Sequence, residues 1–141
     1  MASFNKFNAF VNDLASKVHN LGADTLKIML TNTAPVATNA LFGDLTEIAA
    51  GNGYTAGGTQ ATLVSSSQSG GTYTLKLNNV TFTASGGAIA TFRYAVLYNT
   101  TPTTPLKPLI GWYDYGTTLS ITSGNSFQVQ FDATNGVLTL A

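Results

Sequence analysis

The sequence predicts a mainly β fold: an antiparallel β-sandwich or jelly-roll-like domain with one N-terminal amphipathic helix. Several short stretches alternate apolar and polar residues, glycine-rich turns separate them, and a helical spacing of apolar residues occurs near the N-terminus. A chain of 141 residues is large enough to bury one core. We therefore expect a single domain over residues 1–141, with a helix or arm at 1–22 and the sandwich at 23–141.

The N-terminal helix is predicted from apolar residues that recur three and four positions apart over residues 4–21. Ser3 could cap its start, and Gly22 stands where a left-handed C-terminal cap is expected. The apolar stripe consists of Phe7, Phe10, Val11, Leu14, Val18 and Leu21.

Residues 25–31 alternate as a strand, and residues 60–64 are predicted to form a shorter strand. The sequence does not decide whether the segment 41–50 is a short helix or irregular structure, since its apolar residues have helical spacing but it ends in glycines. We expect the glycine-rich segments 51–58 and 65–71 to be flexible loops.

A break in alternation marks the middle of the chain. Leu75 and Leu77 alternate with one parity, and Val80 and Phe82 continue with the other. One extra residue would restore a common face, so we predict a bulge or tight turn at Asn78–Asn79.

The stretch from Phe92 to Tyr115 is predicted to be a long-looped hairpin, because both flanks are rich in β-branched and aromatic residues around a loop containing three prolines. A symmetric register places Tyr98 opposite Leu109 and makes a structural pair of Arg93 and Asp114. Apolar groups on both faces indicate strands in the middle of a sheet. This alternation puts Trp112 and Tyr113 on opposite faces, Trp112 with Ala95 and Leu97, and Tyr113 with Val96 and Tyr98.

Two further strands are expected around Leu119–Ile121 and Phe127–Phe131. Asn135–Gly136 lies between alternating runs and predicts a two-residue type I′ hairpin. That register would place Phe131 opposite Leu140.

The composition excludes several classes of function. Charged residues make up 9% of the chain and the net charge is zero, so the basic footprint of a nucleic-acid-binding protein is missing. We also expect no membrane partner, since no polybasic stretch accompanies an apolar helix. The N-terminus does not resemble a signal peptide, which fits synthesis and assembly in a bacterial-type cytoplasm. A surface of Thr, Ser, Asn and Gly suits the packing of copies side by side.

The sequence offers no convincing catalytic or cofactor-binding constellation, and we predict neither an enzyme nor a bound cofactor. His19 is the single histidine, and it lies near the end of the predicted helix, where it would complement the helix dipole. The glycines of residues 51–57 lack the Lys-Ser/Thr pair of a phosphate-binding loop.

Two possible binding sites, one for calcium and one for a sugar, are each less favoured than a structural explanation of the same residues. Asp44, Glu47 and Asn52 could gather a Ca²⁺ ion, but their spacing does not match a calcium loop, and solvated carboxylates are favoured. Trp112 and the tyrosines of the hairpin could stack on a sugar, but aromatic residues in central strands belong more often to a core.

Most of the chain resembles a family of small structural proteins of tailed bacteriophages. The resemblance is clearest in the two flanks of the hairpin, Phe-Arg-Tyr-Ala-Val-Leu-Tyr-Asn and Leu-Ile-Gly-Trp-Tyr-Asp-Tyr-Gly. The resembling segments are Leu30–Asn39, Leu45–Gly58, Val80–Gly87, Phe92–Asn99, Leu109–Gly116 and Phe131–Thr139.

This resemblance implies a virion component without catalytic residues. We expect a capsid decoration (cement) protein that binds the major capsid protein and bridges its subunits, as a homo-oligomer such as a trimer. A tail, neck or fibre component is the alternative, and a carbohydrate-binding host-attachment module is a third hypothesis. Termini and loops adapt to partners more freely than a core hairpin. The expected contact residues are therefore Phe4, Phe7, Phe10, Asn52, Tyr54, Pro102, Pro105 and Lys107.

Overall fold

The computed structural model describes residues 2–141 and is mainly β, with 47% strand and 8% helix. All strand pairs are antiparallel, and one α-helix lies near the N-terminus, as the sequence predicts. The elements are β1 (Phe4–Lys6), α1 (Asn8–Ala15), β2 (Leu26–Thr31), a 3₁₀ turn (Phe42–Asp44), β3 (Thr59–Gln60), β4 (Leu63–Ser69), β5 (Thr72–Leu77), β6 (Val80–Thr83), β7 (Ile89–Asn99), β8 (Leu109–Ile121), β9 (Ser126–Val129) and β10 (Leu138–Leu140).

The strands form three sheets in a sandwich-like arrangement. A five-stranded sheet has the order β1-β8-β7-β2-β3, a three-stranded sheet the order β10-β5-β4, and β6 pairs with β9. The larger core joins the five-stranded sheet to both smaller ones through buried residues such as Ile28, Leu97, Leu75 and Phe82. Neighbours of opposite parity, such as Met29, belong to a second, smaller core. The central strands are therefore buried on both faces, as the sequence predicts.

A bulge changes the faces of the central hairpin. Tyr98 pairs with Leu109 as predicted, but the register then shifts and leaves Ile110 as an extra residue in β8. Trp112 consequently packs on the smaller core, while Tyr113 belongs to the larger core. The predicted assignment of these two rings to faces was wrong for that reason.

The N-terminal helix is shorter than predicted. It covers Asn8–Ala15 rather than residues 4–21, and residues 4–6 instead form β1, which pairs with β8. Phe7 is extended, with φ −76° and ψ 145°, and its ring is fully buried in the smaller core. The helical period of this segment is thus overridden by pairing and packing with the rest of the chain.

The predicted caps of the helix were also wrong. Neither Ser3 nor Gly22 adjoins α1, because the helix begins at Asn8 and ends at Ala15. Lys17 has a φ of 66° and takes the left-handed conformation expected just after a helix end.

The predicted Asn135–Gly136 hairpin does not form. The Asp132 carboxylate accepts hydrogen bonds from the N–H groups of Thr134 and Asn135, both at 2.8 Å, and closes a turn there. The chain then crosses to β5, where Val137 N–H donates to the carbonyl of Leu75 at 2.7 Å. β10 therefore pairs with β5 rather than with the strand before it.

A two-residue hairpin turn lies instead at Gly70–Gly71, between the paired residues Ser69 and Thr72. Both glycines have positive φ, at 60° and 85°, as a type I′ turn requires. The segment 65–71 is consequently mostly strand, not the flexible turn predicted.

The regular strand is interrupted at Asn78–Asn79 as predicted, but the interruption is a crossing between two sheets rather than a bulge or tight turn. Leu77 and Val80 on either side are buried, and the chain passes there from the three-stranded sheet to the pair of β6 and β9.

Candidate functional site

Two loops, residues 34–44 and 100–108, pack side by side next to the end of β7 and the start of β8. Phe42 N–H donates to the carbonyl of Lys107, and Leu109 N–H donates to the carbonyl of Ala40, both at 2.9 Å. Leu41 also forms a bridge with Pro108. We call this pair of loops the loop platform.

The loop platform is held rigid by hydrogen bonds and a cation–π contact among its own residues. The Asp44 carboxylate accepts hydrogen bonds from the N–H groups of Ala40 and Leu41, at 2.8 and 3.0 Å. These bonds lower the pKa of Asp44, since they stabilise its charged form. The Lys107 ammonium lies 4.9 Å from the ring centroid of Phe42 in a cation–π contact.

The loop platform presents exposed apolar groups on this rigid base. Leu106, at 58%, is the most exposed large apolar side chain in the described part of the chain, and Val36 is 53% exposed. Pro102, Pro105 and Lys107 are half-exposed beside Leu106. Sequence reasoning selected these three residues but missed Leu106 and Val36. The sequence signal for Leu106 and Val36 was a large apolar residue that stands alone among Pro, Thr and Ala in a loop.

The N-terminal candidates are mostly core residues. Phe7 is 0% exposed and Phe10 is 4% exposed, which corrects the expectation that they contact a partner. Phe4 is half-buried, with its ring edge-on to Tyr113 at 5.7 Å between centroids. Of the three, Phe4 alone keeps part of its side chain at the surface.

Tyr54 is also buried, so the expectation that it contacts a partner is wrong. Its hydroxyl donates to Glu47 Oε2 at 2.6 Å and accepts from Leu30 N–H at 3.1 Å. Burial, and then the Glu47 carboxylate, raise the pKa of Tyr54 well above its ordinary value. Glu47 Oε2 also accepts from Gly57 N–H at 2.6 Å. The segment 51–58 is therefore fastened to β2 and is not the flexible loop predicted.

Asn52 is exposed but is also held in place. It has a φ of 55°, and its side-chain amide donates to the carbonyl of Ala88 at 2.9 Å. Its own carbonyl accepts from Ser85 N–H at 2.9 Å. Asn52 is thus reachable by a partner as part of a rigid turn.

The carboxylates considered for calcium binding have protein partners. Asp44 caps the 3₁₀ turn, and Glu47 binds Tyr54 and Gly57. Among residues 2–141, no three His, Cys, Asp or Glu side chains are grouped so that they could hold a metal ion.

His19 is buried in a small polar cluster. Its Nδ1 lies 3.0 Å from the amide nitrogen of Asn99, which also donates to Asp24 at 2.6 Å. Asn99 Oδ1 accepts from Thr101 N–H at 3.0 Å, which fixes the amide orientation and makes Nδ1 the acceptor.

The state of His19 follows from this cluster. Burial lowers its pKa, although Asp13 and Asp24 oppose the shift. At neutral pH the ring is therefore uncharged, with its proton on Nε2, which has no hydrogen-bond partner among residues 2–141. Because α1 ends at Ala15, His19 does not complement the helix dipole as expected.

The aromatic residues of the hairpin form a core rather than a surface. Tyr94, Tyr98 and Tyr113 are buried, and half-buried Trp112 packs on Phe7 with ring centroids 4.6 Å apart. Burial, and then the charge of Glu47, raise the pKa of Tyr98 to about 12. The three buried rings cannot stack on a sugar without leaving the core.

Arg93 and Asp114 form a two-pronged ion pair that links β7 to β8. Arg93 Nε and Nη2 donate to the two carboxylate oxygens of Asp114 at 2.8 and 3.0 Å. The hydrogen bond from Arg93 lowers the pKa of Asp114. The side chains are 39% and 37% exposed, so the pair stands at the surface of the hairpin.

No helix within residues 2–141 has the length and apolar character needed to cross a membrane. The chain matches no protein-family model, no curated protein and no solved structure.

Proposed function

We propose that this protein is a structural component of a tailed-bacteriophage virion, a capsid decoration protein that binds the outer shell and bridges its subunits. The observation that supports this role is the loop platform, where exposed Leu106 and Val36 stand on loops fixed by backbone hydrogen bonds. The sequence resemblance to small virion proteins agrees with it.

The loop platform suits binding to a preassembled surface. Rigid loops lose little conformational freedom on binding, which lowers the cost of association. Leu106 and Val36 would supply apolar contact area, and the charge of Lys107 is already placed against Phe42. A protein that binds the assembled shell but not its separated subunits stabilises the shell by mass action, without any reaction.

Copy number per purified virion tests the role, by quantitative mass spectrometry against the major capsid protein. A stoichiometry comparable with that subunit is the expected result. A handful of copies would move the protein to the tail or neck, and absence from the virion would overturn the proposal.

A substitution on the loop platform tests the contact surface. We expect Leu106→Asp to weaken binding to shells roughly tenfold or more, because it loses the burial of a leucine and puts a charge in the contact. Val64→Asp is the matched control, since Val64 is 56% exposed but lies on β4. Equal loss in both variants, or no loss in Leu106→Asp, would remove the loop platform from the contact.

A further inference from the structure

A second surface feature, apart from the loop platform, is a groove between α1, β1 and β10. One part, of about 470 Å³, is lined by Phe4, Lys6, Val11, Leu14 and β10. A neighbouring part, of about 530 Å³, contains Lys17 and shares Leu14 and Leu140 with the first. The two parts adjoin at Leu14 and Leu140, and we call them together the helix groove.

The helix groove leaves apolar surface uncovered. Val11 is 53% exposed and Leu140 is 55% exposed, although both belong to regular elements that normally turn such side chains inward. Leu14 and Phe4 beside them are half-buried. Exposed apolar side chains that cluster are typical of a surface that binds a partner.

One wall of the helix groove is the free edge of a sheet. β10 pairs with β5 on one side and ends the three-stranded sheet on the other. Three consecutive residues, Leu138, Thr139 and Leu140, line the groove. Since successive side chains of a strand point to opposite faces, lining by all three means that the groove follows the strand's edge. Such an edge offers backbone donors and acceptors to an added strand.

The charge of the helix groove identifies the kind of strand. Lys6 and Lys17 line its two parts, and no Asp or Glu lines either part. The lining therefore carries two lysines and no carboxylate side chain, although Asp13 and Asp24 lie close enough to His19, in the second part, to oppose the lowering of its pKa. Within residues 2–141, none of the strands at a sheet edge contains an acidic residue. A second copy of this chain therefore offers no complementary edge strand.

We propose that the helix groove binds an extended segment of a different protein, with apolar residues at alternate positions and carboxylates at its ends. The segment adds a strand to β10, packs its apolar side chains on α1, and places its carboxylates near Lys6 and Lys17. That this segment belongs to a neighbouring virion protein rests on the proposed function.

The binding test uses the full chain labelled with ¹⁵N and the peptide acetyl-Asp-Leu-Thr-Leu-Thr-Leu-Asp-amide, followed by NMR. We expect saturable shifts at amides of α1 and β10. The same peptide with Lys in place of Asp should bind roughly tenfold more weakly, because two attractive ion pairs become repulsive. No shifts, shifts elsewhere, or equal binding of both peptides would overturn the proposal.

Matched variants locate the binding. Val11→Asp should abolish it, while Val36→Asp, at a residue equally exposed on the loop platform, should leave it unchanged. Loss in both variants or in neither would contradict the site. Because the peptide test uses the isolated protein, its failure is separate from a failure of the virion copy-number test.

Discussion

Gly58 shows how strongly one residue can be constrained by close backbone approach. It has a φ of 80°, and a Cβ atom there would collide with the carbonyl of Ile28 in β2. A backbone group cannot move aside as a side-chain tip can. We expect Gly58→Ala to lower the free energy of unfolding by about 3 kcal/mol or more, measured by urea denaturation.

Gly57 provides the control for that prediction. Its φ is 89°, but within residues 2–141 an added Cβ would meet only the Tyr98 hydroxyl, at 3.4 Å. Gly57→Ala should therefore cost only the conformational penalty of about 1–2 kcal/mol. If both variants lose the same free energy, the close approach of residue 58 to β2 is not what constrains it.

A single residue, His19, makes the free energy of unfolding depend on pH. Its folded pKa lies below the ordinary value of 6.5, so the unfolded chain binds more protons as the pH falls through that value. We expect the free energy of unfolding to fall as the pH drops below 6.5, and to level off once the folded ring also protonates.

Urea denaturation at several values between roughly pH 5 and pH 8 measures this dependence. His19→Asn is the control, because a side-chain oxygen can still accept from Asn99 but does not titrate. The wild-type protein should lose more stability than the variant over that range. Parallel curves would show that His19 does not control the dependence.

At the scale of elements, the N-terminal segment is part of the fold. Phe7 is fully buried against Trp112, and β1 pairs with β8. We expect Phe7→Ala to cost about 3–5 kcal/mol of unfolding free energy, as a cavity in a packed core does. Deletion of residues 1–10 should consequently destabilise the protein.

Val11 gives the comparison within the same segment. It is 53% exposed, and Val11→Ala should change the unfolding free energy by no more than about 0.5 kcal/mol. A similar small effect for Phe7→Ala would mean that the N-terminal segment is peripheral to the core.

The sequence predicted the elements whose pattern is local. β2 was identified by its alternation, and the hairpin of β7 and β8 by flanks rich in β-branched and aromatic residues around a loop with three prolines. The length of α1 was overestimated because a stripe of apolar residues does not show that residues 4–6 pair as a strand with β8. The Asn135–Gly136 turn was misjudged because Asp132 supplies a competing side-chain turn.

The candidate surface was harder to predict than the fold. Phe7, Phe10 and Tyr54 were selected because they lie near a terminus or in a glycine-rich loop, yet all three are buried. Burial there depends on contacts with distant residues, such as the bond from Leu30 to the Tyr54 hydroxyl. The exposure of Leu106 likewise depends on how two separate loops pack.

At the scale of the whole molecule, the two cores lie on opposite faces of the same strands. Met29 and Val96 belong to the smaller core, while their neighbours Ile28 and Leu97 belong to the larger one. Neither core can lose its packing without disturbing the backbone that supports the other. We therefore expect a single cooperative unfolding transition for the molecule.

Two probes with different locations test that cooperativity. Trp112, the single tryptophan, packs on the smaller core and reports it by fluorescence, while far-ultraviolet circular dichroism reports all sheets. The urea midpoints from the two probes should coincide, and in Phe7→Ala both should shift together by the same amount. A fluorescence midpoint at lower urea than the circular-dichroism midpoint would show that the smaller core opens alone. The neighbouring loop platform would then lose its rigidity before the sandwich unfolds.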